Sequence, residues 1–155
     1  MDIKKEYDVF VKKYKLPSYE GLDKEFELLY FQNVIEIKYP LRFVRRRILD
    51  KINWFLGFLQ GLIQPNPGSL ISLEESRFFT QEEKDKVVLL IKKLIILQRE
   101  GLLLDIDSDE KKDSEFIKEA FDKWMKHKKE IFSINVKIKE GWESEVKEER
   151  GQYFG

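Results

Sequence analysis

Between Pro40 and Ile63 the chain holds its most apolar stretch, and any fold it adopts must shield that surface from water. Leu41, Val44, Ile48, Ile52, Phe55, Leu59 and Leu62 recur at helical spacing and form one stripe. Trp54, Phe58 and Ile63 extend the apolar surface around the second half, so the pattern predicts a helix running through the middle of a domain. Pro40 suits its first turn. The densest part, Ile52 to Ile63, has about 12 residues where a bilayer span takes about 20. It also carries Asn53 and Gln60, so a core position is expected and no membrane span. Gly57 and Gly61 each lower helix propensity by about 1 kcal/mol, which predicts a neighbouring helix lying close against the backbone there.

The rest of the chain supplies amphipathic partners for this helix. Ile3, Tyr7, Phe10 and Tyr14 make one stripe over residues 2–15, which Leu16-Pro17 terminates. Ser18 is placed to cap a helix bearing Leu22, Phe26, Leu29 and Tyr30. After the turn Pro65-Asn-Pro-Gly68, Ser72 and Glu75 have capping-box spacing for a short helix ending near Phe78-Phe79. Thr80 and Glu83 repeat that spacing and open a helix over 81–100, with Gly101 as its left-handed C-cap. A further helix over 114–131 carries Phe116, Ile117, Ala120, Phe121, Trp124 and Ile131.

Two segments alternate as strands do, Val34–Tyr39 and Ser133–Ile138. The expected fold is therefore mainly α, a compact bundle of four or five helices with room for a small two-stranded β ribbon pairing 34–39 with 133–138. From Lys139 the chain is charged and poor in apolar residues. Residues 1–138 read as a single helical domain and 139–155 as a flexible charged C-terminal tail.

With 155 residues, 42% of them hydrophobic, the chain is large enough to bury a core without staples. Lys plus Arg and Asp plus Glu both number 29. That balance disfavours a dedicated nucleic-acid binder, whose affinity draws on a positive surplus. The absence of cysteine removes disulfides, thiolate metal sites and a cysteine nucleophile. The N-terminal stretch Met-Asp-Ile-Lys-Lys-Glu-Tyr lacks the apolar core of a signal peptide, so a cytoplasmic location is expected.

Four of the seven arginines fall within six residues, at Arg42, Arg45, Arg46 and Arg47. Guanidinium forks match phosphate and carboxylate, which makes this cluster the candidate partner- or anion-binding site. It lies in the first turns of its helix, where the macrodipole disfavours cations, so something must offset the repulsion. The offset is either a bound anion or the chain's own acidic run Asp105-Ile-Asp-Ser-Asp-Glu110, and the zero net charge favours the second.

Asp105, Asp107, Asp109 and Asp113 match positions 1, 3, 5 and 9 of a calcium-binding loop. Glu110 replaces the required glycine and Phe116 the bidentate glutamate, so no metal is expected and an N-capping role explains the run. His127 stands alone between Lys126 and Lys128, without a second zinc ligand or a nucleophile elbow elsewhere. No phosphate loop or other cofactor motif occurs, so no cofactor is expected. In the tail, Trp142, Tyr153 and Phe154 are possible docking anchors, since binding energy concentrates in aromatic side chains.

These features point first to a non-enzymatic helical interaction module that binds another macromolecule, a protein, through the arginine face or the aromatic tail. Binding of nucleic acid or another polyanion through the same arginines comes second. An enzyme whose site no linear motif reveals comes third.

Overall fold

The structure, a computed structural model, describes residues 2–33 and 37–154, with the side chains of residues 153 and 154 outside the described ones. Among the described residues there are seven helices and no strand: α1 (Ile3–Tyr14), α2 (Tyr19–Phe26), α3 (Leu28–Gln32), α4 (Pro40–Ile63), α5 (Leu70–Arg77), α6 (Gln81–Ile106) and α7 (Glu110–Phe154). The chain divides into two compact units. The first holds Met1–Leu56 and Lys93–Trp124, the second Gly57–Lys92 and Met125–Gly155.

The helix ends follow local chemistry. Asp2 accepts from the Lys5 amide at the start of α1, and Ser18 from the Gly21 amide at the start of α2. The segment read as one helix from Ser18 to Tyr30 is broken at Glu27, which is left-handed with φ of 56°. Asp23 holds the break: its carbonyl accepts from the Glu27 amide and its carboxylate from the Leu29 amide. The break shifts the apolar register by one residue, so Leu28 is buried while Leu29 and Tyr30 are exposed.

In the first unit the buried set includes Tyr7, Leu22, Phe26, Val44, Ile48, Ile52, Leu97, Ile117 and Trp124. The Trp124 ring lies 6.0 Å from Phe26 and 5.5 Å from Phe55, and its indole N–H donates to Glu25 at 2.9 Å. The predicted central helix is present as α4, and its stripe is buried at Leu41, Val44, Ile48, Ile52, Leu59 and Leu62. It is not buried all round, because Trp54 is 66% exposed.

Gly101 does not cap α6. It sits inside the helix, where a Cβ would come within 2.4 Å of Leu49, so the glycine is a notch for that side chain. Gly57 and Gly61, expected to lie under a neighbouring helix, have nothing among the described residues within 4 Å of where a Cβ would sit.

In the second unit Leu59, Leu62, Phe79, Val87, Leu90, Ile91, Ile131 and Ile138 are buried. α5 begins three residues earlier than the Ser72 cap implied: Ser69 accepts from the Ser72 amide, while the Ser72 hydroxyl serves the Asn66 amide. The Thr80–Glu83 capping box forms at the start of α6 as the spacing predicts.

The expected β ribbon is absent. Residues 34–36 lie outside the described residues, residues 37–39 form no strand, and residues 133–138 belong to α7. The latter segment satisfies two periods at once. Alternation places Ile134, Val136 and Ile138 together, but Ile131, Ile134, Ile138 and Trp142 also recur every three or four residues. The helical stripe prevails, with Ile131 and Ile138 buried and Val136 exposed.

That stripe carries α7 through the boundary expected at residue 138. Trp142 meets the Phe78 ring edge-on at 5.3 Å, and Gly141 makes room, since a Cβ there would come within 2.5 Å of that ring. Among the described residues no helix is long and apolar enough to cross a membrane.

Candidate functional site

The four clustered arginines do not share one environment. α4 begins at Pro40 with no acidic residue in its first turn, so its positive end meets Arg42, Arg45, Arg46 and Arg47 with no local compensation. Arg45 finds its compensation inside the first unit. It is fully buried; its Nε donates to Asp113 Oδ1 at 2.8 Å, and its Nη1 donates to the Gly101 carbonyl at 3.1 Å and to Asp105 Oδ1 at 2.7 Å. These acceptors come from the C-terminal part of α6 and the first turn of α7, ends where a cation and an anion respectively are favoured. Burial pushes the Asp113 carboxyl above its ordinary value, and the Arg45 guanidinium pulls against that rise. Arg45 is thus a clamp among α4, α6 and α7, and no outside ligand reaches it.

The other three arginines line a cleft of about 310 Å³ together with Ile37, Lys38, Tyr39, Phe43 and Asp50. Arg47 is mostly committed: its Nη1 donates to Asp50 at 2.7 Å, and its guanidinium lies 3.2 Å from the centre of the Phe31 ring. Arg46 is 61% exposed and reaches Asp105 only at 3.8 Å, on an oxygen that Arg45 already holds. Arg42 is exposed, with its guanidinium 5.1 Å from the centre of the Tyr39 ring; Lys38 approaches the same ring at 5.7 Å. Among the described residues neither Arg42 nor Lys38 forms an ion pair. Tyr39 and Arg42 also border a second cleft of about 230 Å³ that includes Phe10, Pro40 and the start of α7 from Ser108 to Glu110.

The acidic run is absorbed by structure. Asp105 and Asp113 hold Arg45, Asp109 caps α7 by accepting from the Lys112 amide at 2.8 Å, and Asp107 pairs with Lys112 at 3.3 Å. Glu110 accepts from Lys13 at 2.6 Å and from Tyr14 at 2.7 Å, and these two donors hold its carboxyl below the ordinary range. Among the described residues no group of three or more His, Asp or Glu side chains is placed to hold a metal ion. His127 is buried, with Nδ1 3.7 Å from Glu130.

Of the aromatic anchors proposed for the tail, Trp142 is half-buried against Phe78, and the side chains of Tyr153 and Phe154 lie outside the described residues. The second unit has a groove of about 320 Å³ lined by Phe79, Val87, Leu90 and Ile134, with the ion pair of Lys137 and Glu83 among its walls. Sequence reading did not find this groove, because its walls come from segments some fifty residues apart. It also missed Lys38, Tyr39 and Phe43 as neighbours of the arginines. The signal was present for Lys38, which precedes Arg42 and Arg46 at a constant step of four.

No protein-family model, curated protein or solved structure matches this chain.

Proposed function

We propose that this protein is a non-enzymatic helical interaction module that binds an acidic protein partner through Arg42, Arg46 and Lys38, with Arg47 and Tyr39 shaping the cleft. The observation that carries this reading is the unequal use of the arginines. The chain spends its nearby carboxylates on Arg45 and Arg47 and leaves cationic donors facing solvent around an aromatic ring. Guanidinium groups donate hydrogen bonds without giving up protons, so the cleft offers recognition rather than acid–base chemistry. A bounded cleft and a zero net charge favour a discrete acidic group over an extended nucleic-acid backbone.

The test is capture of partners by the full chain, with and without nuclease, compared with the Arg42→Glu/Arg46→Glu double variant. Both positions are exposed, so the variant is expected to fold normally, as circular dichroism would confirm. Retention of nuclease-resistant protein by the wild type and its loss from the variant supports the reading. Undiminished capture by the variant refutes it, and capture abolished by nuclease moves the function to nucleic acid.

A further inference from the structure

We propose that the acidic group received by this cleft is a phosphate monoester carried on a side chain of the partner protein. The inference rests on the reading of the cleft as an acidic-partner site and adds the chemistry of the ligand. It begins with charge balance. Among the described residues four cationic side chains, Lys38, Arg42, Arg46 and Arg47, line the cleft with one carboxylate, that of Asp50, which Arg47 holds at 2.7 Å. Asp105 lies just beyond, but its oxygen is 2.7 Å from Arg45 and 3.8 Å from Arg46, so the buried arginine takes it. Among the described residues Lys38 and Arg42 form no ion pair and Arg46 has only the longer approach to Asp105, so the cleft carries a surplus of positive charge.

Two further observations act in the same direction. The surplus sits at the positive end of a 24-residue helix with no acid in its first turn, where each added cation is opposed by the macrodipole. The cleft also has more donors than acceptors: among the described residues Arg47 Nε is buried without a hydrogen-bond partner. Protein interiors rarely leave such donors unmatched.

A single carboxylate brings one charge and two oxygens, enough for one guanidinium fork. Here the forks of Arg42 and Arg46 stand one turn apart on α4, and Lys38, four residues before Arg42 and just ahead of the helix, lines the same cleft. A phosphate monoester supplies close to two charges and three terminal oxygens, which suits three separate cationic donors. Ile37, Tyr39 and Phe43 give the cleft an apolar wall against which the stem of the phosphorylated side chain packs.

The full chain, isotope-labelled for resonance of the arginine Nε–H groups, is titrated with phenyl phosphate, phenylacetate and an oligothymidylate at physiological salt. The proposal expects phenyl phosphate to bind at least about tenfold more tightly than phenylacetate, the worth of an added charge-assisted hydrogen bond. It also expects shifts at Arg42 and Arg46, and loss of the preference in Arg42→Gln/Arg46→Gln with the circular dichroism unchanged. Equal binding of the two small anions overturns the phosphate inference and leaves the acidic-site reading standing. Binding of neither overturns both. Tighter binding of the oligothymidylate than of phenyl phosphate replaces the protein-borne phosphate with a nucleic-acid backbone.

Discussion

Replacing Arg45 by methionine removes the cation from the clamp while keeping much of its volume. The Asp113 side chain, 9% exposed, then loses its donor and the Gly101 carbonyl its second one, whereas Asp105, 35% exposed, regains water. Breaking a buried ion pair from one side destabilises by about 3–5 kcal/mol, a large share of the 5–15 kcal/mol typical of a domain. The expected loss lies toward the lower end, because Asp105 is rehydrated and Asp113 has the option of taking up a proton.

That option fixes a sign. A carboxyl raised in the folded state binds its proton more tightly there. Its contribution is complete below the unfolded value of about 3.9 and is lost as pH rises through the folded one. Burial already raises Asp113 in the wild type, and without Arg45 it rises further. The deficit of R45M relative to wild type must therefore shrink as the solution is acidified from neutrality. D113N, whose amide oxygen still accepts from Arg45 Nε, should lose only about 1–2 kcal/mol. The double variant R45M/D113L, which removes the charge from both sides, should recover most of the R45M loss. Urea unfolding followed by circular dichroism, with the slope checked for constancy, gives each value. An R45M loss under about 1 kcal/mol at neutral pH, or one that does not shrink on acidification, would refute the clamp.

Other variants test the remaining features. G57A and G61A meet no neighbour and should each stabilise by about 0.5–1 kcal/mol, read as a rise in Tm. G101A drives a methyl into Leu49 and should destabilise by about 1–3 kcal/mol by the same assay, less the gain in helix propensity. Burial pushes the Tyr19 phenol up to about 12. Its contribution is thus intact at neutrality and lost as pH rises from about 10 through that value, and ultraviolet titration of wild type against Y19F should show one phenol titrating late. Trp142→Ala removes the edge-on partner of Phe78 and, the ring being half-buried, should lower stability by about 1–3 kcal/mol; a loss below about 0.5 kcal/mol would mean the ring pair does not hold the end of α7.

The helical class and most of the core stripe of α4 were legible because burial and helical period agree there. The same periodicity contained a clue that residue type concealed. Arg45 lies four residues after Leu41 and three before Ile48, on the inward face, yet its charge led it to be grouped with the exposed arginines. Position on the stripe was the better guide, because two carboxylates were available to meet it. At 133–138 the error ran the other way: an alternation fitted a strand, and only the longer window reaching Trp142 showed the helix. Gly101 was misread because a cap and a packing notch both call for a missing Cβ, and only the position of Leu49 separates them. The left-handed Glu27 had no such signal; nothing in Phe-Glu-Leu announces a break, which Asp23 secures from four residues upstream.

The acceptors of Arg45 lie 56, 60 and 68 residues further along the sequence, on two later helices. A half-assembled first unit, with α4 laid on α6 before α7 arrives, would hold a dehydrated guanidinium short of its Asp113 partner. Such an arrangement is penalised more heavily than either the open chain or the finished one. The arginine is therefore expected to disfavour partly docked forms, an effect that would show as a broader urea transition in R45M/D113L than in the wild type.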